Sequence, residues 1–398
     1  MNWHKIKSNF RTVLVTSLFV PVLHACQAQE ETHYVPVLEV SELTEGEPNG
    51  YDIAFQPTKI KNLANDTEAE ILFQNEELSF GFFNDVLFTN PQQGLIVGGT
   101  RLAIRTTLDG GKNWRAYDFS RFANAFHSTA QTKDHVYVLG ESKYVFRSNK
   151  QFENWEVFDC KVLYPDAESI TWYKLRFLND NFGIAVGERK DKLEPLMMLT
   201  KNAGKSWESV SLNDSLLNNK SWIDITILDT LNWLVLDAAI GSPFYTADAG
   251  KTWSDYTSPL QTNVDATLRS LWMVNPKELY GVGSRSFWRS TDFGKNWMRL
   301  DISKPFNPIE DYNEGDYLVF TDISGIDDDI YLTSTADYID DGRYAFAYKF
   351  DRASELLKPI LLSDTAAFVG ESHAIYALDK ENIFIMDRDK LYRVKDKK

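Results

Sequence analysis

The fold is decided by the stretch "TTLDGGKNW", residues 106–114, because close copies of it return along the chain. The other copies are "RSNKQFENW" (147–155, degenerate), "LTKNAGKSW" (199–207), "YTADAGKTW" (245–253) and "RSTDFGKNW" (289–297). Neighbouring copies lie 41 to 52 residues apart. A period of this length predicts repeated structural units, such as the blades of a propeller, rather than a two-layer domain.

A short β-rich run recurs as well, usually ending in glycine and followed by a second apolar run. Where the repeated phrase is present it comes next, so the order is strand, turn, strand, repeat, strand. The seven runs are "GLIVGG" (94–99), "HVYVLGE" (135–141), "FGIAVGE" (182–188), "NWLVLDA" (232–238), "ELYGVGS" (278–284), "DIYLTST" (329–335) and "NIFIMDR" (382–388). Seven runs indicate seven blades, although only five carry the repeated phrase.

The spacing also predicts how the ring closes. Seven units of about 46 residues, counted back from Lys398, begin near residue 77, whereas eight would consume the N-terminal segment. The last unit stops after "KLYRVKD" (390–396), one strand short. We expect a segment within 51–76, with "EILFQ" (70–74) as the candidate, to supply that strand and remove an exposed sheet edge. The prediction is a single all-β, seven-bladed β-propeller over residues 51–398, with blades from about 77.

The N-terminus has the pattern of an export signal and not of a folded element. Lys5, Lys7 and Arg11 form a basic region, and Val13–Leu23 form an apolar run that is too short for a permanent membrane span. We therefore expect residues 1–25 to be a signal peptide.

That apolar run ends in "LHAC", which resembles a bacterial lipoprotein signal and implies lipidation of Cys26. Gln27 follows in place of the aspartate associated with inner-membrane retention. The next residues, "QAQEE", resemble the acidic tags of surface lipoproteins, with a solvated acidic tether as the alternative. We expect an exported protein, anchored to the outer membrane by a lipidated tether over residues 26–50. Ordinary secretory cleavage after Ala28 is the alternative.

Composition bounds the function class. The 398 residues are 43% hydrophobic and 14% aromatic, which predicts a sizeable folded core. The formal net charge of −15 argues against a general nucleic-acid binder, which needs a basic surface to displace counterions from phosphates. Cys160 is the one cysteine besides Cys26, so acylation of Cys26 leaves it without a disulfide partner. We expect Cys160 to be a buried, inert thiol.

The repeated phrase follows the pattern Ser/Thr-x-Asp-x-Gly-x-Thr/Asn-Trp and resembles the Asp-box, or bacterial neuraminidase repeat. The copies at Asp109, Asp248 and Asp292 fit closely. The copy at Asn202 replaces the carboxylate by an amide, and the degenerate copy has Lys150 in place of the aspartate. A short Asp carboxylate accepts hydrogen bonds from the amides of a tight turn, and so does the carbonyl of Asn. The aspartates are therefore expected to fix hairpins between the two outer strands of each blade.

The other box residues have matching roles. Glycine permits a backbone conformation closed to other residues, and each tryptophan is expected to fold under its hairpin, removing about 150–250 Å² from water. The resemblance implies a structural role, away from any substrate face. The predicted structural residues are Asp109, Gly111, Trp114, Asn202, Gly204, Trp207, Asp248, Gly250, Trp253, Asp292, Gly294 and Trp297.

Whole blades resemble the photosystem II assembly and stability factor family and its bacterial relatives. The resemblance lies in "GLIVGGTRLAIRTTLDGGKNW" (94–114) and "FGIAVGERKDKLEPLMMLTKNAGKSW" (182–207). It covers about residues 77–300 and fades in the last two blades. It implies a secreted or membrane-associated binding protein, with no implication of photosynthesis.

Two catalytic alternatives remain. Sialidases share the propeller and the boxes, but this chain lacks their Arg-Ile-Pro motif, and Arg105, Arg147 and Arg289 lie just before boxes, where we expect them to brace hairpins. Other glycosidases of this architecture need only two carboxylates brought together in space, which an acidic chain offers in many combinations. We expect no enzyme activity, and a carbohydrate-binding or glycoside-hydrolysing propeller is the alternative.

Metal and cofactor chemistry have little support in the sequence. His33, His127, His135 and His373 show no ligand spacing. The segment "DYIDDGRY" (337–344) resembles a calcium loop, but an isoleucine occupies one of its ligand positions. We expect no metal and no cofactor.

A binding face is expected on the side opposite the boxes, where loops join the two middle strands of each blade and the chain returns to the next blade. Aromatic and arginine side chains on one surface suit contact with a protein. The candidate residues are Arg101, Trp172, Tyr173, Glu188, Arg189, Trp222, Arg269, Arg285, Arg343 and Arg388. The predicted partner is a protein of the cell envelope, with a glycan as the alternative, and not a nucleic acid.

Overall fold

The computed structural model describes residues 38–39, 50–64, 67–74, 83–99, 104–239, 241–256, 267–284, 286–300, 319–339, 343–363, 374–387 and 390–396. These residues belong to one compact unit, Tyr34–Lys398. The predicted signal peptide and Cys26 lie outside the described residues. Within the described part of the chain, no helix is long and apolar enough to cross a bilayer.

The secondary structure is almost entirely β, as alternating apolar runs bounded by turn residues predict. The strands are β1 (Leu38–Glu39), β2 (Gly50–Ala54), β3 (Thr58–Ile60), β4 (Thr67–Gln74), β5 (Phe83–Phe88), β6 (Gly94–Gly98), β7 (Ile104–Thr107), β8 (Asn113–Tyr117), β9 (Phe126–Gln131), β10 (His135–Gly140), β11 (Tyr144–Asn149), β12 (Trp155–Asp159), β13 (Ile170–Phe177), β14 (Gly183–Arg189), β15 (Glu194–Thr200), β16 (Glu208–Ser209), β17 (Trp222–Ile227), β18 (Trp233–Asp237), β19 (Pro243–Thr246), β20 (Ser254–Asp255), β21 (Thr267–Asn275), β22 (Glu278–Ser284), β23 (Ser286–Ser290), β24 (Met298–Arg299), β25 (Phe320–Ile326), β26 (Asp329–Ile339), β27 (Arg343–Asp351), β28 (Leu356–Ser363), β29 (Ala374–Asp379), β30 (Asn382–Met386) and β31 (Lys390–Asp396).

These strands form seven antiparallel sheets, which are the blades. Blades 1 to 6 each take four consecutive strands, starting at β5, β9, β13, β17, β21 and β25, and blade 7 takes β29–β31 and β4. The first strand of each blade contacts the first strands of both neighbouring blades, so these seven strands form a closed ring around a central channel. The predicted seven-bladed propeller is confirmed, and each of the seven predicted β-rich runs supplies the second strand of a blade.

The N-terminal segment closes the ring. The predicted strand "EILFQ" lies in β4, which pairs antiparallel with β31 as the fourth strand of blade 7. Going back along the chain, β3, β2 and β1 then add a fifth strand to blades 7, 1 and 2. Between β3 and β4 the side chain of Asn62 donates to Ile360 O (2.8 Å) and accepts from Leu362 N (3.1 Å) on the edge of blade 6. The segment therefore covers four consecutive blade edges.

The hydrophobic core lies in the seams between blades. Seven clusters of buried apolar side chains correspond to the seven seams, each drawn from two adjacent sheets. The seam between blades 7 and 1, for example, contains Phe73 of β4 with Phe83 and Trp114 of blade 1. Both faces of nearly every sheet are covered, which explains why the second strands contain continuous apolar runs instead of alternating ones.

The two faces of the disc differ in their connections. Each first strand runs from what we call the upper face to the lower face, and the next strand returns. The loops between second and third strands, and the connections to the next blade, therefore lie at the upper face. The box hairpins between third and fourth strands lie at the lower face.

The box hairpins show why the phrase recurs. Their third strands end in a hydroxyl that accepts the N–H of the box glycine, as in Thr246 with Gly250 (2.9 Å). Asp109, Asp248 and Asp292 each accept the backbone N–H four residues on at 2.8–2.9 Å, and Asn202 does so at 3.0 Å. Gly111, Gly204, Gly250 and Gly294 all have positive φ. Trp114, Trp207, Trp253 and Trp297 are buried in the seam with the preceding blade.

The degenerate box at 147–155 forms a similar turn with different residues. Asn149, one position before Lys150, accepts from the backbone N–H groups of Gln151 (3.1 Å) and Glu153 (3.2 Å). Phe152 takes the place of the glycine, with φ 58°, and buries its ring in the seam of blades 1 and 2. Lys150 itself donates to Gln131 Oε1 at 3.2 Å. The turn survives because a short polar side chain still lies at its start.

Candidate functional site

Within the described parts of the first strands, six of the seven carry a β-bulge at the same place, near their upper end. The second strand pairs with the residues on either side and skips one. A bulge redirects the side chain of the extra residue, and bulges are frequent next to functional sites. The six skipped residues are Asn84, His127, Tyr173, Ile223, Arg269 and Thr321. We call this set the mouth residues, since they lie where the central channel meets the upper face.

On blades 1 to 3 the mouth residues contact one another. Asn84 Nδ2 donates to Phe126 O at 2.7 Å and lies 3.5 Å from His127 Nδ1. The imidazole of His127 stacks on the ring of Tyr173, with centroids 5.7 Å apart. The phenol of Tyr173 donates to Glu188 Oε1 at 2.7 Å. This side of the mouth is therefore a continuous row of an amide, an imidazole, a phenol and a carboxylate.

A second carboxylate completes that row. Glu141 Oε1 lies 3.7 Å from His127 Nε2 and accepts from Lys190 Nζ at 3.2 Å. Burial lowers the pKa of His127, and it outweighs the opposite effect of Glu141, so the imidazole is neutral at pH 7. Burial raises the pKa of Tyr173, and the carboxylate of Glu188 adds to the shift, so the phenol keeps its proton. The row offers neutral hydrogen-bonding groups more than free charge.

Below the mouth, three aspartates connect neighbouring first strands. Asp85 accepts from Thr129 N (2.7 Å), Asp224 from Leu271 N (2.8 Å) and Asp322 from Ile375 N (3.1 Å). In every case the donor belongs to the next blade. These carboxylates hold adjacent blades together, which restricts their freedom to act on a ligand.

Two cations lie among these aspartates. Arg176 donates two hydrogen bonds to Asp224, each 3.1 Å, and a third to Leu271 O at 3.0 Å. Burial disfavours the charged form of Lys174, but the carboxylates of Asp322 and Asp85 outweigh it and raise the pKa of the ammonium. The channel charges therefore compensate one another largely within the protein. The described residues hold no group of three or more His, Cys, Asp or Glu side chains arranged for a metal ion.

Three of the predicted binding residues lie together at this site. Tyr173 and Arg269 are mouth residues, and Glu188 accepts the hydrogen bond of Tyr173. Arg269 is exposed on β21. Arg189 lies at the upper face too, but its guanidinium is held by Asp166 O (2.6 Å) and Asp191 (3.1 Å) on neighbouring loops.

The prediction that Trp172 and Trp222 lie on the binding face is wrong. Both side chains are fully buried, Trp172 in the seam of blades 2 and 3 and Trp222 in the seam of blades 3 and 4. Each lies one residue before a bulge, so the bulge directs the indole into the seam and the following residue to the mouth. An aromatic residue at the start of a first strand can therefore point into the seam or to the mouth, and the residue type does not distinguish the two.

The remaining candidates are not placed at the site. Arg101, Arg285 and Arg388 lie outside the described residues. Arg343 begins β27, at the upper face, and only its backbone is described.

The arginines before the boxes differ among themselves. Arg147 pairs with Glu156 and donates to Ala203 O of the next box at 3.0 Å, and Arg289 pairs with Glu278 at 2.9 Å. Arg147 therefore joins the two outer strands of its blade, as predicted, whereas Arg289 links its third strand to the second strand and to Glu355 of blade 6 at 3.8 Å. Arg105 does not, because its side chain is buried in the seam of blades 7 and 1 against Phe73 and Phe83.

The sequence reasoning missed His127, Asn84 and the three channel aspartates as site residues. A signal for the aspartates exists, since each follows an aromatic residue by two positions, in "FND" (83–85), "WID" (222–224) and "FTD" (320–322), at the start of a first strand. His127 has the middle position of the corresponding triplet "FHS" (126–128), but its mouth neighbours Asn84 and Tyr173 come from other blades.

No protein-family model and no curated protein matches the sequence. Solved structures of similar fold include YCF48 bound to a D1 peptide (TM-score 0.58, 14% identity, 85% of this chain and 99% of that one). YCF48 from Cyanidioschyzon merolae gives a TM-score of 0.56 at 15% identity over 87% and 100%. Virginiamycin B lyase from Staphylococcus aureus gives 0.58 at 12% identity over 83% and 99%. At these identities the likeness establishes the propeller fold alone.

Proposed function

We propose that this chain is a non-catalytic binding protein of the cell envelope and that its upper face holds a segment of a partner protein. The observation that carries the proposal is the ring of bulged mouth residues. Bulges at one place in six blades direct an amide, an imidazole, a phenol and a guanidinium to a single rim. Aromatic rings and arginines are the groups enriched in protein interfaces.

The hydrogen-bonding groups at the rim support the same conclusion. Glu141 pairs with Lys190, and Glu188 accepts a hydrogen bond from the neutral phenol of Tyr173. A surface rich in hydrogen-bonding groups suits a polypeptide, which offers one donor and one acceptor per residue. YCF48, a propeller of this fold, has been solved with a bound D1 peptide.

Hydrolysis of a glycoside has less support. It requires two carboxylates free to act on one bond, and the channel aspartates each accept a backbone N–H of the next blade. Trp172 and Trp222, the two tryptophans among the predicted binding residues, are buried and offer no ring surface to a sugar. These contacts favour binding over catalysis.

The test is crosslinking in intact cells, purification through a C-terminal tag and mass spectrometry. Wild type is compared with Lys190→Glu/Arg269→Glu at the upper face and with Lys112→Glu/Lys205→Glu, two exposed box lysines at the lower face. We expect one protein in near-stoichiometric yield, lost in the upper-face variant and kept in the lower-face control. Loss in both variants, or retained glycan without protein, contradicts the proposal.

We further propose that Cys26 carries the lipid that anchors the protein to the outer membrane, on the basis of the "LHAC" sequence. Cells fed an alkyne-tagged fatty acid are expected to label the wild type and not Cys26→Ser, and the variant is expected in the soluble fraction. Equal labelling of both proteins contradicts the anchor.

A further inference from the structure

Arg105 occupies a position that is apolar in the other boxed blades. It lies nine residues before the box tryptophan Trp114 and pairs with Ile96 on the second strand of the blade. The same offset from the other four box tryptophans gives Phe146, Met198, Phe244 and Trp288. All four are buried in seams. Blade 1 therefore puts a positive charge where its neighbours put a large apolar side chain.

That charge is buried, and no ion-pair partner for it lies among the described residues. Arg105 is 2% exposed, and its Nε has no hydrogen-bond partner among the described residues. No described carboxylate forms an ion pair with it. Burial lowers the pKa of Arg105 to about 10, with no contribution from any neighbouring charge, so the guanidinium still carries its proton at pH 7. A buried charge without a partner destabilises a fold, so such a group calls for a reason.

Two aromatic rings flank the guanidinium, and we call this arrangement of Arg105, Phe73 and Phe83 the slot. The guanidinium carbon lies 4.9 Å from the ring centroid of Phe83 and 5.5 Å from that of Phe73. Phe73 in turn packs edge-on against Trp114, with centroids 5.4 Å apart. Aromatic rings stabilise a guanidinium through its faces and leave its N–H edge free. That edge is the one that forms paired hydrogen bonds with a planar anion.

The slot lies close to the upper face. Phe83 begins β5 and Arg105 is the second residue of β7, both at their upper ends. Phe73 is the last residue but one of β4, where that strand reaches the same end. The slot is therefore within one or two residues of the face proposed for the partner, at the seam where the ring closes.

We propose that Arg105 is the floor of a carboxylate-binding pocket in the seam of blades 7 and 1, and that an acidic side chain of the partner polypeptide fills it. One guanidinium neutralises one negative charge, which matches a carboxylate and leaves a phosphate dianion half compensated. The origin of the carboxylate in a partner polypeptide rests on the proposed function, whereas the pocket itself does not.

The pocket is tested on the full chain without any partner. Thermal unfolding is followed in sodium acetate and in sodium chloride at equal ionic strength and pH 7. Acetate affinity is measured by saturation-transfer NMR. Acetate is expected to raise the unfolding temperature of the wild type. Arg105→Met, which reproduces the residue that blade 3 has at Met198, is expected to abolish that increase and to weaken acetate binding by about tenfold or more. In chloride this variant is expected to unfold at the wild-type temperature or above it.

Arg115→Met is the matched control. Arg115 is exposed on the adjacent β8, also over an aromatic ring, 5.6 Å from the centroid of Tyr117. Its acetate response is expected to stay that of the wild type. Should Arg105→Met fail to fold, Arg105→Lys keeps the charge without the paired N–H edge and is expected to weaken acetate binding. An acetate effect that is absent from the wild type, or unchanged in the Arg105 variants, overturns the pocket.

The source of the carboxylate is tested with two small probes, N-acetyl-glutamate N-methylamide and N-acetyl-glutamine N-methylamide. The first is expected to displace acetate and the second is not. Acetate binding without displacement by the glutamate probe overturns the polypeptide source and leaves the pocket. The crosslinking experiment is repeated with Arg105→Met. If the partner is still recovered in wild-type yield, the polypeptide source of the carboxylate is wrong, while the proposed function stands.

Discussion

At Asp248 one carboxylate holds a whole hairpin turn. Its Oδ1 accepts from Thr252 N and its Oδ2 from Thr252 Oγ1, at 2.9 and 2.7 Å. The hydroxyl of Thr252, then its backbone N–H, lower the pKa of Asp248. The neutral side chain of Asn202 forms the equivalent turn, because its carbonyl accepts the hydrogen bond from Ser206 N at 3.0 Å. The acceptor at this position matters more than its charge.

Asp248→Ala is expected to lower the free energy of unfolding by about 1–2 kcal/mol, since the turn amide loses its acceptor. Asp248→Asn is expected to lose less, because it reproduces the box at Asn202. Urea unfolding followed by tryptophan fluorescence measures both, with Lys251→Ala, exposed in the same hairpin, as control. Equal losses for Ala and Asn would contradict the acceptor argument.

His127 makes stability depend on pH. Its folded-state pKa is lowered below the ordinary value of 6.5, chiefly by burial, so folding favours the neutral ring. That contribution is fully present above pH 6.5 and is lost as the pH falls below it. We expect His127→Gln to lose less stability than the wild type between pH 7.5 and 5. His135, whose pKa is also lowered by burial, gives the comparison variant His135→Gln. Identical pH profiles for wild type and His127→Gln would contradict this.

Among the elements, the first strands have two functions. Their bulges point one residue each to the mouth, and the next polar residue bonds to the neighbouring blade, as Asp224 does with Leu271 N. Asp224 also binds Arg176 through two hydrogen bonds. The strands that build the candidate site are thus tied together by the charges beneath it, so the site is held on a rigid ring.

Asp224→Ala is expected to cost about 3–5 kcal/mol of stability, because the partly buried guanidinium of Arg176 loses its paired carboxylate. The double variant Arg176→Met/Asp224→Leu removes both charges and is expected to cost less than the single change. Chemical unfolding of both variants decides this. A larger loss in the double variant would show that the hydrogen bonds outweigh the unpaired charge.

For the whole molecule, stability depends on joining the two ends of the chain. The fourth strand of blade 7, β4, precedes blade 1 in sequence and pairs with β31 near residue 396. The same segment covers the edges of blades 6, 1 and 2. Closure removes the sheet edges through which propellers would otherwise associate.

A chain that begins at residue 76 therefore lacks β1–β4 and is expected to associate or to unfold at a much lower temperature. A chain that begins at residue 50 keeps β2, β3 and β4 and is expected to remain a stable monomer. A synthetic peptide of residues 50–75 is expected to restore the shorter chain. Light scattering and circular dichroism check all three, and a stable monomer from residue 76 without the peptide would contradict the closure.

Local sequence determined the architecture of this protein. Turn chemistry repeats in the boxes, and apolar runs recur at blade spacing, so the number of blades and the position of the closing strand near 70–74 followed from residues close together in the chain. These features depend on interactions within one hairpin or one sheet, such as Thr246 with Gly250, and a local pattern is enough to specify them.

The site was decided by the tertiary structure. His127, Tyr173 and Glu141 meet because the ring brings blades 2 and 3 together, and the bulge sends Tyr173 to the mouth while Trp172 goes into the seam. Arg105 stands directly before a box in the sequence. The ring of Phe73 that covers its guanidinium belongs to β4, more than thirty residues earlier. Burial and charge environment are sums over neighbours from several blades, and no short stretch of sequence contains them.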